Sequence, residues 1–211
     1  MTGRLARTLR RAELDEGVAS AVMEVLAAAL GHREALLQDP HDHRLLHPAR
    51  SVLVLLEDAE VREGELLAAV AAHDSRFPGL ALRKPPWPGA VPGDPEGVIR
   101  ELPLPCWVLN TPEPSPPSAV RADLSAEASP PDGLADERLL EALVALSDPL
   151  LTVALCEALD HLRHLHVEEG RPQLERGIEL ARSVYLPASS RMGGVLERRF
   201  RWWHDTLGRA V

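Results

Sequence analysis

The run "LLAAVAAHDS" closes an apolar segment on His73 and Asp74, two side chains whose lone pairs have no use in an oily stretch. A second interruption of the same kind lies in "CEALDHLRHLH", where Asp160 breaks a stripe of Cys156, Ala158, Leu159 and Leu162. Burying a carboxylate there without a partner is costly, and coordination to a cation offsets that cost. His47 stands immediately before Pro48, at the start of the apolar segment "PARSVLVLLED". If the segments on either side of Val61–Gly64 are antiparallel helices, the start of one meets the end of the next, and His47 comes to lie beside His73 and Asp74. His47, His73, Asp74 and Asp160 then form a set of two imidazoles and two carboxylates. Such a set suits Mn²⁺, with Fe²⁺ and Zn²⁺ as alternatives, better than Ca²⁺. A cation so held lowers the pKa of its water and polarises a phosphoryl group, which is the chemistry of phosphoester or pyrophosphate hydrolysis. Each residue also has a plain structural use: His47 beside a helix start, Asp74 as a turn former, Asp160 as half of a surface pair.

The elements that must position these groups are helices. Apolar residues recur at helical spacing through Val18, Val22, Val25, Leu26 and Leu30, then Val52, Leu53, Leu55 and Leu56, then Leu66, Leu67 and Val70. After a long gap the pattern resumes at Leu139, Leu140, Leu143 and Val144. It continues from Pro149, well placed in a first helical turn, to Leu165. Leu174, Ile178, Ala181 and Val184 mark a further helix, and Met192, Leu196, Phe200, Trp203 and Leu207 the last. An all-α bundle of roughly seven helices is expected. The exception runs from Arg76 to about Asp136 and holds 14 of the 19 prolines, so it is expected to be an insertion without regular helix, either a surface excursion or a lid or protein-docking segment. Within it, "CWVLN" has the composition of a short edge strand.

Composition narrows the function classes. With 211 residues and 45% hydrophobic content, one domain spanning the whole chain is expected. A net charge of -9 opposes general binding to nucleic acid or anionic lipid. No run approaches membrane-spanning length, and "MTGRLARTLRRAELDE" lacks the apolar core of a signal sequence, so a cytoplasmic location is expected. Two cysteines, Cys106 and Cys156, exclude a thiolate zinc knuckle. The trios His41, His43, His47 and His161, His164, His166 supply imidazoles but no tetrahedral set of four. "RRFRWWHD" offers tryptophans to a base, yet the spacing of Phe200, Trp203 and Leu207 is that of a packed face.

The stretch "ALGHREALLQDPHDHRLLHPARSVLVLLEDAEVREGELLAAVAAHDS" resembles the HD domain of the RelA/SpoT alarmone enzymes and their small stand-alone hydrolase relatives, in which an HP-containing helix start precedes an "AALLHD" helix. Downstream, "EALDHLRHL" resembles that family's "LADRLHNL", and "ARSVYLPASSRMGG" resembles its "YAPLAHRLG", with Tyr185, Pro187, Arg191 and Gly193 in register. The resemblance implies an HD helical fold and Mn²⁺ bound by His47, His73, Asp74 and Asp160. It also implies hydrolysis of the 3′-pyrophosphate of guanosine tetra- or pentaphosphate, and substrate contacts from Arg191 and from His164, which stands where the family has asparagine.

The chain departs from the family at two places. The Glu-Asp pair that follows the family's HD pair is Phe77 and Pro78 here, which removes the group that activates water. The basic, glycine-containing loop before the HP motif is replaced by "LLQDPHDH". Three readings follow: a phosphohydrolase of another nucleotide or phosphoester with its base drawn from Asp42, Glu57 or the proline-rich stretch; a catalytically degenerate module that binds metal, nucleotide or protein; and alarmone hydrolysis with different supporting residues.

Overall fold

Helix α1 (Glu16–Leu37) begins where Asp15 accepts hydrogen bonds from the amides of Gly17 and Val18, and it buries Val22, Val25, Leu26, Ala29, Arg33 and Leu37 along one face. A 3₁₀ turn (His43–Leu46), capped by Asp42, leads directly into α2 (His47–Glu57), with Pro48 in its first turn. Glu60, at φ 56°, turns the chain back into α3 (Gly64–Ala72). Next come a short helix α4 (Pro95–Glu101) and then α5 (Gly133–Ala145) and α6 (Asp148–Glu168). The chain continues through α7 (Arg171–Leu180), a π-helical turn (Ala181–Tyr185), α8 (Leu186–Met192) and α9 (Gly194–Leu207). This is a computed structural model, and it describes residues 7–8, 12, 14–37, 39–82, 84–87, 91, 93–102, 133–168 and 171–207.

The protein is all-α, with no strand among the described residues. Two helices organise it. Helix α3 is apolar on every side, with Leu66 through Ala72 all nearly inaccessible, as expected of a helix packed around its whole circumference. It is enclosed by α1, α2, α4 and α6. Helix α6 is the longer axis, touching α2, α3, α5, α7, α8 and α9. The antiparallel packing of α2 on α3 follows the sequence reading, as does the opening of α6 at Pro149. Phe200 and Trp203 are buried in the core, and Phe200 stacks on Tyr185 at 5.6 Å.

One expectation is corrected. Regular helix was excluded from the whole proline-rich stretch, yet α4 forms inside it, because Pro95 occupies the first turn, where its missing N–H costs nothing, and Asp94 caps the amide of Gly97. Helix α5 likewise starts at Gly133, inside the boundary set for that stretch. The segment "CWVLN" lies outside the described residues. So does the side chain of Leu207.

The break between α8 and α9 falls on Gly193, whose φ 66° and ψ -154° belong to a region that essentially only glycine occupies. Its amide still donates to the Ser189 carbonyl, so the turn is fixed rather than loose. Gly193→Ala is expected to destabilise the protein by about 1–3 kcal/mol, read as a lower urea midpoint at unchanged slope.

Candidate metal centre

Because α3 is enclosed, its C-terminal end emerges in the protein interior, and His73 and Asp74 are carried there with it. Asp74 is fully buried and His73 nearly so. The amides of Arg76 and Phe77 donate to Asp74 Oδ1 at 3.1 and 2.8 Å. Asp74 is therefore a turn former, as its position suggested, and also the centre of a charge cluster. Arg33, reaching in from α1, donates through Nη2 to Asp74 Oδ2 at 2.6 Å. From the start of α2, His47 brings Nε2 to 4.0 Å from the same oxygen.

Helix α6 supplies the rest. Glu157, Asp160, His161 and His164 recur at i, i+3, i+4 and i+7, one face of the helix. Glu157 accepts from the Ser75 amide and lies 2.9 Å from His73 Nδ1 and 3.7 Å from His47 Nε2. Asp160 Oδ2 lies 2.8 Å from His47 Nδ1, and Arg50 donates to both Asp160 oxygens. His161 stacks on His47 with ring centroids 4.1 Å apart, and its Nε2 lies 3.1 Å from Asp74 Oδ1 without the alignment of a hydrogen bond.

All four residues expected to hold a cation, His47, His73, Asp74 and Asp160, thus belong to one buried network. The subset whose donor atoms lie within 4.8 Å of one another is different: His47, Asp74, Glu157 and His161. His73 is turned to Glu157, and Asp160 is held between His47 and Arg50. Glu157 and His161 were not singled out as ligands from the sequence, although their spacing on an otherwise apolar helix is the same kind of interruption that drew attention to Asp160.

The remaining candidates are placed as follows. His164 is part-exposed beside Asp160, its Nδ1 bonded to the Asp160 carbonyl at 2.7 Å, and its ring stacks on His43. Arg191 bonds the Val144 and Leu146 carbonyls and pairs with Asp148, which is 12 residues before Asp160 and so about 18 Å away along α6. Asp42 is engaged by Arg44, and Glu57 sits at the opposite end of α2 from His47. His43 faces His164 while His47 faces inward, so the His41–His43–His47 trio does not converge. The side chain of His166 lies outside the described residues.

Electrostatics divides the four histidines of the network. Burial opposes charge on His47, but Asp74, Asp160 and Glu157 outweigh it and raise its pKa to about 9. The pKa of His73 is raised as well, Glu157 overcoming burial. Burial, helped by the charge on His47, lowers His161 to about 4, so its ring is neutral and offers a lone pair. His164 is also lowered, first by burial. Burial would raise the three carboxylates, yet the imidazoles and the guanidiniums of Arg33 and Arg50 hold all of them below the usual range.

Two neutral-capable imidazoles and two carboxylates match the mixed N/O coordination of Mn²⁺, Fe²⁺ or Zn²⁺, and the Nε2 of His161 faces Asp74 Oδ1 at 3.1 Å without hydrogen-bond alignment. Metal uptake would displace the proton that His47 carries. Access is narrow. Glu157 backs a crevice of about 20 Å³ walled by Leu102, Leu139, Leu143 and Tyr185, room for a single water. A larger cavity, about 250 Å³, lies elsewhere, between Asp58, Arg163, Arg199, Trp202 and Trp203.

Asp160→Ala leaves Arg50 and His47 facing each other with no anion between them. The expected cost is about 3 kcal/mol, measured by urea unfolding of metal-free protein. Arg100→Ala, which breaks an exposed pair with Glu96, should change stability by less than about 0.5 kcal/mol.

Among the described residues no helix is long and apolar enough to cross a membrane. Comparison of the chain with protein-family models, with curated proteins and with solved structures gives no match.

Proposed function

We propose that the buried cluster binds a divalent transition-metal ion, Mn²⁺ before Fe²⁺ or Zn²⁺, and that the protein is a metal-dependent phosphohydrolase of the HD kind acting on a nucleotide or related phosphoester. One observation carries this reading: His47 from α2, Asp74 from the end of α3, and Glu157 and His161 from α6 converge within 4.8 Å, with His161 neutral and its Nε2 unaligned. The RelA/SpoT resemblance supports the same chemistry and suggests a guanosine polyphosphate as the first substrate to try. When bound, a metal supplies an activated water and polarises the phosphoryl oxygen. The chain's own groups hold the ligands in place: Arg50 and His47 orient Asp160, and the turn amides fix Asp74. His164, part-exposed beside Asp160, would meet a substrate at the edge of the cluster.

A second reading is favoured by specific observations. The position where a water-activating carboxylate is needed is Phe77, which packs edge-on against His161 at 5.8 Å, with Arg44 and Arg76 over its ring. On this reading the cluster is a metal-binding lock in a protein-interaction module without turnover.

The test is elemental analysis and Mn²⁺ titration of the purified protein, followed by phosphate and pyrophosphate release from a nucleotide panel that includes guanosine tetraphosphate. Stoichiometric Mn²⁺ with turnover, both lost in His161→Ala, is the expected result. Metal uptake without turnover establishes the lock instead. Protein that neither carries nor takes up Mn²⁺ removes both.

A further inference from the structure

Arg33 is an unusual tenant of the cluster. It is 1% exposed, on the apolar face of α1, where arginine is rarely found. Its fork is only partly satisfied: Nη1 donates to the Arg44 carbonyl and Nη2 to Asp74 Oδ2, each at 2.6 Å, while Nε is buried with no hydrogen-bond partner. Asp74 Oδ1 is already taken by the amides of Arg76 and Phe77. Oδ2 is thus the oxygen with capacity left for a cation, and the guanidinium occupies it.

The charges around Asp74 point the same way. Asp74, Glu157 and Asp160 face two guanidiniums, Arg33 and Arg50, and the imidazoles of His47 and His73. The carboxylates are thereby compensated from within the chain, and a dication added beside Asp74 Oδ2 would meet Arg33 at contact distance in a water-poor interior, where like charges repel strongly.

We propose that Arg33 is the resident cation of this site: a divalent ion gains Asp74 Oδ2 only as the Arg33 guanidinium leaves it, so Arg33 sets the metal affinity of the cluster. This rests on the reading of the cluster as a cation site and adds to it a competitor supplied by α1. Arg33 touches neither substrate nor reacting atoms. It acts by holding or releasing one ligand.

The experiment is Mn²⁺ titration, by calorimetry and by the metal-induced rise in Tm, of EDTA-treated full-length wild type, Arg33→Met and Arg33→Lys. Arg33→Met should bind Mn²⁺ roughly ten- to a hundredfold more tightly than wild type, the range of a typical coupling between two ligands. Its Tm should rise more on adding Mn²⁺, even though its metal-free form melts lower. Arg33→Lys, which keeps the charge, should stay near wild type. Binding by Arg33→Met but not by wild type supports the proposal while removing metal dependence from the native protein. Equal affinity in wild type and Arg33→Met overturns the proposal and leaves the cation site standing. Arg33→Lys binding as tightly as Arg33→Met also overturns it, and no uptake by any of the three overturns both. Should Arg33→Met not fold, the Arg33 Nε–Hε resonance of the wild type under Zn²⁺ titration decides: a shift at one equivalent supports displacement, and an unmoved resonance at saturation overturns it.

Discussion

The charge on Asp74 is the constraint around which this protein is built. A carboxylate with no accessible surface is expensive by several kcal/mol after relaxation unless donors and cations surround it. Three elements other than its own therefore have to arrive at one point. Helix α1 brings Arg33, α2 brings His47 and α6 brings His161, while the turn after α3 contributes two amides. The enclosure of α3 and the packing of α1, α2 and α6 around it meet the same requirement, since the helix that carries the charge inward is the one its neighbours must cover.

Signs alternate through the network. Arg33 faces Asp74, Asp74 faces His47, His47 faces Asp160, and Asp160 faces Arg50. A branch runs from His47 to Glu157 and on to His73. Each interior member thus has at least two partners of opposite sign, His47 having three, and removing one leaves its neighbours short of a counter-charge. Effects in such a chain are not additive, and an apolar replacement of the whole network would not carry the penalty that one deletion carries.

How much of this was legible in the sequence depends on what a periodic pattern records. Helical spacing located α1, α2, α3, α5, α6 and α9, because burial of a face leaves its mark every third or fourth residue. The meeting of His47 with Asp74 followed from a short connection, which forces antiparallel neighbours. Asp160 was visible as a charge in an apolar stripe. Arg33 carries the same mark, between Ala29 and Leu37 on α1, but a long side chain can snorkel to solvent, so a lone arginine in a stripe signals less than a carboxylate does. Glu157 and His161 lay on the α6 face already suspected, and choosing among neighbours on one face needs the rotation of the helix about its axis, which no spacing supplies. Helix α4 is masked by the proline density around it, since composition does not tell a proline in a first helical turn from one that breaks a helix. Arg191 is bound to carbonyls and to Asp148, partners set by how the α5–α6 connection is packed and invisible in its own neighbours along the chain.

Phe77 ties the rim of the cluster to its interior. Phe77 lies edge-on to His161 and carries Arg44 and Arg76 over its own ring, with Arg44 also paired to Asp42. The aromatic ring also keeps water off His161, which favours the neutral imidazole and strengthens every charge pair behind it. A dication entering the cluster would have to displace charges the chain already supplies, Arg33 at Asp74 and Arg50 at Asp160, and neither guanidinium offers it a lone pair in return.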